Sequence, residues 1–215
     1  MRVIFGAAGF AKETHFVFRR LYPNDKIDYF VSTDHDALVG NLLKGVPVIS
    51  ETEFFSIASA SPVEAFLAIG SPRIKEQLFE KITERHQSII FPALMDPDVV
   101  MDSDIGAIQV GDGSIICAGV VLTTDIRIGK FSHINLNCTI GHDSTIGNFS
   151  TLSPGVHVSG NVTIGDGVFC GSGAVILEGL RLAPRSVIGA GAVVVSSTLG
   201  PGVYVGVPAR FRSGK

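Results

Sequence analysis

The sequence predicts a small parallel α/β sheet over residues 1–91, followed by an all-β parallel β-helix over residues 92–215 with regular hexads from 110 to 199. Three observations carry this. Up to about Phe91, short β-branched or aromatic runs alternate with stretches of helical period, the pattern of a sheet covered by helices. From Val110 to Val194 every sixth residue is apolar, fifteen in succession, and the position four places after each is never charged or aromatic. Most of the 25 glycines fall after residue 100.

The elements follow in order. Val3-Ile4-Phe5 is a strand that ends in the turn Gly6-Ala7-Ala8-Gly9, and a helical segment runs from about Phe10 to Leu21. Strands are expected at Ile27 to Val31 and at Val46 to Ile49, with Ser50-Glu51-Thr52-Glu53 capping a helix through Phe55 and Ile57. A strand over Ala65 to Ile69 leads to Gly70-Ser71-Pro72, which opens a helix through Leu78 and Ile82; Ser88 to Phe91 is the last short strand. In the second half each hexad supplies one short strand and one corner, and three hexads close a triangular coil. Fifteen hexads make five coils of 18 residues, a stack about 24 Å tall at the ~4.8 Å strand spacing. Gly129, Gly141, Gly147, Gly165, Gly171 and Gly189 each follow the apolar residue, where a side chain would crowd the corner or the backbone would need positive φ.

Composition excludes several function classes. The chain has 215 residues, 46% hydrophobic and 17% charged, with a net charge of −3, and it lacks the 18 consecutive apolar residues of a membrane span. Met1 to Phe5 has no charged n-region leading into a long apolar run, so cytoplasmic residence is expected. Cys117, Cys138 and Cys170 are spaced too widely for a zinc knuckle and read as buried hydrophobes; no metal site is expected. With no Lys/Arg run and no Trp, nothing marks a nucleic-acid partner.

Of six histidines, His15, His35 and His86 read as surface or loop residues of the α/β half. His142 stands apart, between Gly141 and Asp143 at the third place of its hexad, where a carboxylate neighbour would fix one tautomer and raise its basicity. His133 is second choice. The residues alone leave His142 open between a base and an ordinary corner side chain. Positions 18 apart stack, so Thr124, His142, Gly160 and Glu178 form one column, and the Gly160 N–H is a candidate oxyanion donor beside His142. The turn after the first strand suits phosphate at a helix start, but it is not a dinucleotide fingerprint: Ala8 and Ala11 stand where that motif has glycines.

The hexads resemble those of the hexapeptide-repeat acyltransferases, whose prism is left-handed. Gly6-Ala7-Ala8-Gly9-Phe10-Ala11-Lys12, Gly45-Val46-Pro47-Val48, Leu67-Ala68-Ile69-Gly70, Ile134-Asn135, Gly141-His142-Asp143, Gly160-Asn161-Val162 and Gly206-Val207-Pro208-Ala209-Arg210 are similar, in this order, to the sugar acetyltransferases of the NeuD and PglD type. That resemblance implies a Rossmann-like nucleotide-sugar domain on a left-handed parallel β-helix, a homotrimer, and acetyl-CoA as donor in a groove between prisms. It implies His142 as general base with Asp143 orienting it. Substrate contacts would fall at Ala8, Gly9, Phe10, Ser32, Thr33 and Gly70, where a UDP-linked sugar is expected, and at Asn135 beside the acceptor. Cofactor contacts would fall at Thr151, Ser172 and Ala190, joined by Gly160. Phe10 replaces a His of several relatives, Ser32-Thr33 replaces two aspartates for which Asp34 or Asp36 would compensate, and Thr151 replaces a second histidine of some relatives. Arg210, Arg212 and Lys215 are candidates for the cofactor phosphates. The implied reaction is N-acetylation of a nucleotide-linked amino sugar for a glycan or surface polysaccharide. Two alternatives stay open: O-acetylation of sialic acid or a similar free sugar, and a noncatalytic trimeric scaffold that binds a sugar nucleotide.

Overall fold

A computed structural model describes residues 1–58 and 62–212. The α/β part comprises β1 (Arg2–Phe5), α1 (Gly9–Leu21), β2 (Tyr29–Ser32), β3 (Leu42–Leu43), β4 (Val46–Ser50), α2 (Glu51–Ala58), β5 (Val63–Leu67), α3 (Pro72–Arg85) and β6 (Ile89–Ile90). The sheet order is β3-β4-β2-β1-β5-β6, parallel except for the β3–β4 hairpin, which the sequence reading did not include. β1 is where the strand order reverses, and the carboxyl end of such a strand is where open α/β sheets hold ligands.

The second part is a prism with three parallel faces. The first face contains Leu94–Met95, Ile115–Ile116, His133–Ile134, Thr151–Leu152, Phe169–Cys170, Ser186–Ile188 and Gly202–Val205. The second runs from Val100–Met101 through Val121–Leu122, Thr139–Ile140, His157–Val158 and Val175–Ile176 to Val193–Val194. The third runs from Ile108–Val110 through Ile126–Ile128, Thr145–Ile146 and Thr163–Ile164 to Arg181–Leu182. Pairs such as His133↔Thr151 and Thr145↔Thr163 fix the register at 18 residues per coil.

The hexad column fills the interior: Ile116, Leu122, Ile134, Ile140, Leu152, Cys170, Ile176 and Ile188 are all buried. Burial pushes the Cys138 thiol up to about 11 and Cys170 up to about 12, so both stay protonated. The small column lies at the corners, where Ser114, Ser132 and Ser150 donate to the carbonyls of Gly129, Gly147 and Gly165 at 2.7, 2.6 and 2.9 Å. The glycines after the apolar residue serve close approach, not positive φ: a Cβ on Gly141 would lie 2.6 Å from the Gly160 nitrogen on the next coil. Positive φ belongs two places later, at Asp125, Asn137, Asp143 and Asn161 among others.

The stack begins one coil before the regular hexads. Leu94, Val100 and Ile108 already pair with the following coil, but Met101 to Val110 spans nine residues instead of six, which hides this coil from the periodicity. The prism and the sheet share core: Leu94, Ile115 and Cys117 pack with α1 and β1 residues, and Phe131 and Phe149, stacked at 5.2 Å, meet Phe79 of α3. The α/β part therefore covers the first face of the prism. Among the described residues no helix is long and apolar enough to cross a membrane.

Candidate functional site

The structure gathers most of the expected site residues into groups that lie on different parts of the molecule. The first is at the carboxyl ends of β1, β2 and β5. Gly6, at φ 115°, brings the turn so close to β5 that a Cβ would sit 3.0 Å from the Ala68 carbonyl. Ala8 precedes α1 without any side-chain cap, so the first-turn N–H groups of α1 remain available to an anion. Ala8, Gly9 and Gly70 are exposed, and no atom lies within 4 Å of a Cβ placed on Gly9 or Gly70. Ser32 Oγ donates to Asp36 at 2.5 Å, while Asp34 accepts from the Thr52 hydroxyl at 2.7 Å and its amide at 3.0 Å. These bonds hold both carboxyls below their usual range, so the charges expected to compensate for Ser32-Thr33 exist but are spent on bracing the loop and the start of α2. Thr33 is exposed beside them.

Phe10 turns inward. Its ring lies 4.7 Å from the His133 ring, so it anchors the turn to the prism. His133, second choice as a base, is removed by this packing: it is 1% exposed, burial drives its pKa well down, and neither ring nitrogen has a hydrogen-bond partner of normal geometry among the described residues. Thr151 must be corrected as well. It is buried against α3, accepting at 3.2 Å from Nζ of Lys75, itself fully buried, so Thr151 faces the α/β part and not an open cofactor groove. His15 is likewise buried, edge-on to Phe30, instead of lying on the surface.

The second group sits at the corner between the second and third faces. Asp143 takes φ 58° there, which swings its carboxylate beside the preceding ring: Oδ2 lies 2.8 Å from Nδ1 of His142. That hydrogen bond, and the charge behind it, raise the His142 pKa; with Nδ1 bearing the shared proton, Nε2 keeps its lone pair. The ring is 55% exposed and leans over Gly160, where a Cβ would fall 2.5 Å from Nε2. Asn161 N donates to the His142 carbonyl at 2.7 Å and locks the two coils together, while the Gly160 N–H enters no hydrogen bond among the described residues. A free imidazole nitrogen and an unpaired backbone donor in neighbouring coils are the two kinds of group that acyl transfer needs.

Asn135, Ser172 and Ala190 lie on the corner between the first and second faces, whose early coils are covered by the α/β part through Cys117 and Leu136. Asn135 Oδ1 accepts from Leu136 N at 2.7 Å, and the Gly191 amide donates to the Ser172 carbonyl at 2.9 Å, stacking those coils. Within one prism this corner and that of His142 are separated by the whole second face. Arg210 and Arg212 are in a terminal strand paired antiparallel with Gly202–Val205, while Lys215 lies outside the described residues. No group of three or more metal-ligating side chains occurs among the described residues.

Residues 102–124 and 161–196 match the family model described as the hexapeptide repeat of succinyl-transferase. A curated GDP-perosamine N-acetyltransferase of Escherichia coli O157:H7 is 33% identical over 154 residues, which is 71% of this chain and 66% of that relative. Perosamine N-acetyltransferase from Caulobacter crescentus, solved with CoA and GDP-perosamine in a variant lacking one histidine, superposes with a TM-score of 0.89 at 25% identity, over 99% of this chain and 97% of that one. WeeI from Acinetobacter baumannii AYE gives 0.86 at 32% identity, covering 99% of each chain. Such likeness along the full length of both chains makes this protein a member of the NeuD- and PglD-type hexapeptide-repeat sugar acetyltransferases, built on a left-handed parallel β-helix.

Proposed function

We propose that the protein transfers the acetyl group of acetyl-CoA to the amine of a nucleotide-linked amino sugar, as a cytoplasmic homotrimer. The single observation that carries this reading is the His142–Asp143 pair, with Nε2 left free over Gly160 on an exposed corner. Nε2 accepts a proton from the attacking amine as its nitrogen adds to the thioester carbon. The Gly160 N–H donates to the oxyanion that forms, and collapse expels the thiolate, which takes the proton back from Nε2 and leaves the second amine proton on the amide. Asp143 stabilises the imidazolium through Nδ1.

The nucleotide diphosphate sits at the uncapped start of α1, over Ala8 and Gly9, with Gly70 opposite. The perosamine N-acetyltransferase relatives act on or bind a GDP-linked sugar, and Ser32-Thr33 lacks the paired aspartates of UDP-sugar enzymes, so a GDP-linked substrate replaces the UDP-linked one expected from sequence. The division into residues 1–91 and 92–215 then separates nucleotide binding from catalysis.

The positions of the two groups support a trimer. The α/β part covers the first face of its own prism, whereas His142 occupies the opposite corner. The interior column stands between them, so a sugar held at Ala8 and Gly9 is brought to the His142 of a neighbouring copy. The same juxtaposition sets Asn135, Ser172 and Ala190 of one copy across the acetyl-CoA groove from the His142 corner of another.

The test is acetyl-CoA with GDP- and UDP-linked amino sugars and their hydroxyl counterparts, read by release of free thiol. Thiol release with a GDP-linked amine, and not with the hydroxyl counterpart, is expected. Release only with hydroxyl acceptors, or with none, contradicts the reading.

A further inference from the structure

The column that contains His142 ends in a residue with no role so far. Thr124, His142, Gly160 and Glu178 occupy equivalent corner positions on successive coils. Two amides hold the stacking there: Asn161 N to the His142 carbonyl at 2.7 Å, and Gly179 N to the Gly160 carbonyl at 3.1 Å. With a rise of about 4.8 Å per coil, the Glu178 backbone lies about 10 Å from that of His142. The coil between them carries only Gly160. The imidazole leans into this notch, Nε2 foremost, and Glu178 is the next residue of the column, close enough for its charge to act on the ring.

Glu178 is exposed and enters no salt bridge or hydrogen bond among the described residues. Its neighbours give it no structural task. The other charged groups around the corner are Asp143, paired with His142, Asp125 one coil earlier, and Asp102, whose carboxylate is bonded to the Thr124 side chain; Arg127 and Arg181 stand on the adjoining third face, where Arg127 shares a depression with Asp125 and Asp143. No cation projects from the column itself.

We propose that Glu178 recognises the acceptor as an ammonium ion, pairing with it across the Gly160 notch and presenting its nitrogen to Nε2 of His142. The inference rests on the acetyl-transfer reading above and deepens it. A sugar amine near neutral pH arrives as R–NH3+ and must lose a proton before it can attack. Glu178 supplies the charge that binds this form. One proton passes to Nε2 and then to solvent, the neutral amine adds to the thioester carbon, and the second proton leaves with the CoA thiolate, giving the N-acetyl sugar and CoASH. The carboxylate also reaches the imidazole electrostatically, since it adds to Asp143 in favouring the charged ring. A hydroxyl acceptor gains nothing from such a residue, and an anionic sugar is repelled by it.

The experiment compares wild type, Glu178→Gln, Glu178→Asp and His142→Ala, using GDP-perosamine as acceptor at saturating acetyl-CoA between pH 6 and 10, with thermal melts as a check on folding. In Glu178→Gln the acceptor KM is expected to rise about two- to five-fold near pH 7, the scale of an exposed ion pair. The kcat and the KM for acetyl-CoA should change less than two-fold. The KM difference should vanish at high pH, where the amine is neutral, and Glu178→Asp should recover part of it. The NMR titration of His142 should move to lower pH in Glu178→Gln. An acceptor KM equal to wild type across the pH range, or raised equally at all pH, overturns the proposal. If wild type is active, His142→Ala is not and Glu178→Gln is unchanged, the role of Glu178 alone falls. If wild type and His142→Ala are equally inactive towards amines, the acetyl-transfer reading falls and takes this one with it.

Discussion

Replacing Gly160 by Ala separates the demands of catalysis from those of folding. Gly160 does not need positive φ, so an alanine backbone fits. Its Cβ, however, would lie 2.5 Å from Nε2, 2.6 Å from Cε1 and 3.0 Å from Cδ2 of His142. Ordinary contact begins near 3.4 Å, so the ring must retreat by about 1 Å. It can do so cheaply because it is more than half exposed, and the melting temperature should change by no more than about 2 °C. The retreat moves the base from its place and buries the adjacent N–H under a methyl group. A 1 Å misplacement costs about 10²-fold in turnover, which steady-state thiol release will read. Gly141→Ala is the control with the opposite signature: there the new Cβ meets backbone of the next coil at 2.6 and 2.7 Å, which cannot retreat. Overpacking of this kind costs about 1–3 kcal/mol and should lower the melting temperature by several degrees. A stable Gly160→Ala variant with wild-type turnover would refute the placement of Nε2 over this glycine as the reactive geometry.

Other variants test separate parts of the account. His142→Ala should lose at least ~10²-fold in turnover with an unchanged melt, because the side chain is an exposed corner group. Activity requires neutral His142, and Asp143 raises the histidine pKa chiefly by its hydrogen bond; wild-type rate should therefore fall on acidification through a value above 6.5, and Asp143→Asn should move that limb to lower pH, as read in kcat/KM profiles. Lys75 is buried without a carboxylate, and burial pushes its pKa well down. Between that lowered value and about 10.4 the unfolded chain holds a proton that the folded chain lacks, so stability rises with pH and is lost as pH falls. Lys75→Met should flatten this dependence in denaturant titrations from pH 7 to 10 and leave stability at pH 7 equal or higher. His133 adds the same sign of dependence below about 6.5, because unfolding releases a ring that is buried uncharged.

The prism was legible because each coil can admit only one large apolar side chain per face, so packing imprints a period of six on Ile116, Leu122, Ile128 and their successors. The first coil escaped because three extra residues between Met101 and Val110 break that period, although Leu94 and Val100 pair normally. Two glycine columns exist, one forced by backbone contact and the other by positive φ. The second was blurred by Phe131, Phe149 and Arg185, which adopt φ between 55° and 61° where Gly, Asn or Asp usually stands. The pair His142-Asp143 was readable because adjacent residues at a corner share its geometry. Lys75, His133 and Thr151 were not, since their burial arises from α1 and α3 docking on strands far away in the chain.

The central claim is that the nucleotide turn of one copy works with His142 of another, and subunit complementation tests it most directly. Gly9→Glu places a negative side chain in open space at the start of α1, where it should repel a diphosphate without disturbing packing. Gly9→Glu and His142→Ala should each be inactive alone. Refolded or co-expressed at equal amounts, they should form mixed trimers in which a sound turn meets a sound histidine at about one site in four, restoring about a quarter of wild-type activity. No recovery in mixed trimers whose composition has been verified would contradict a site shared between copies.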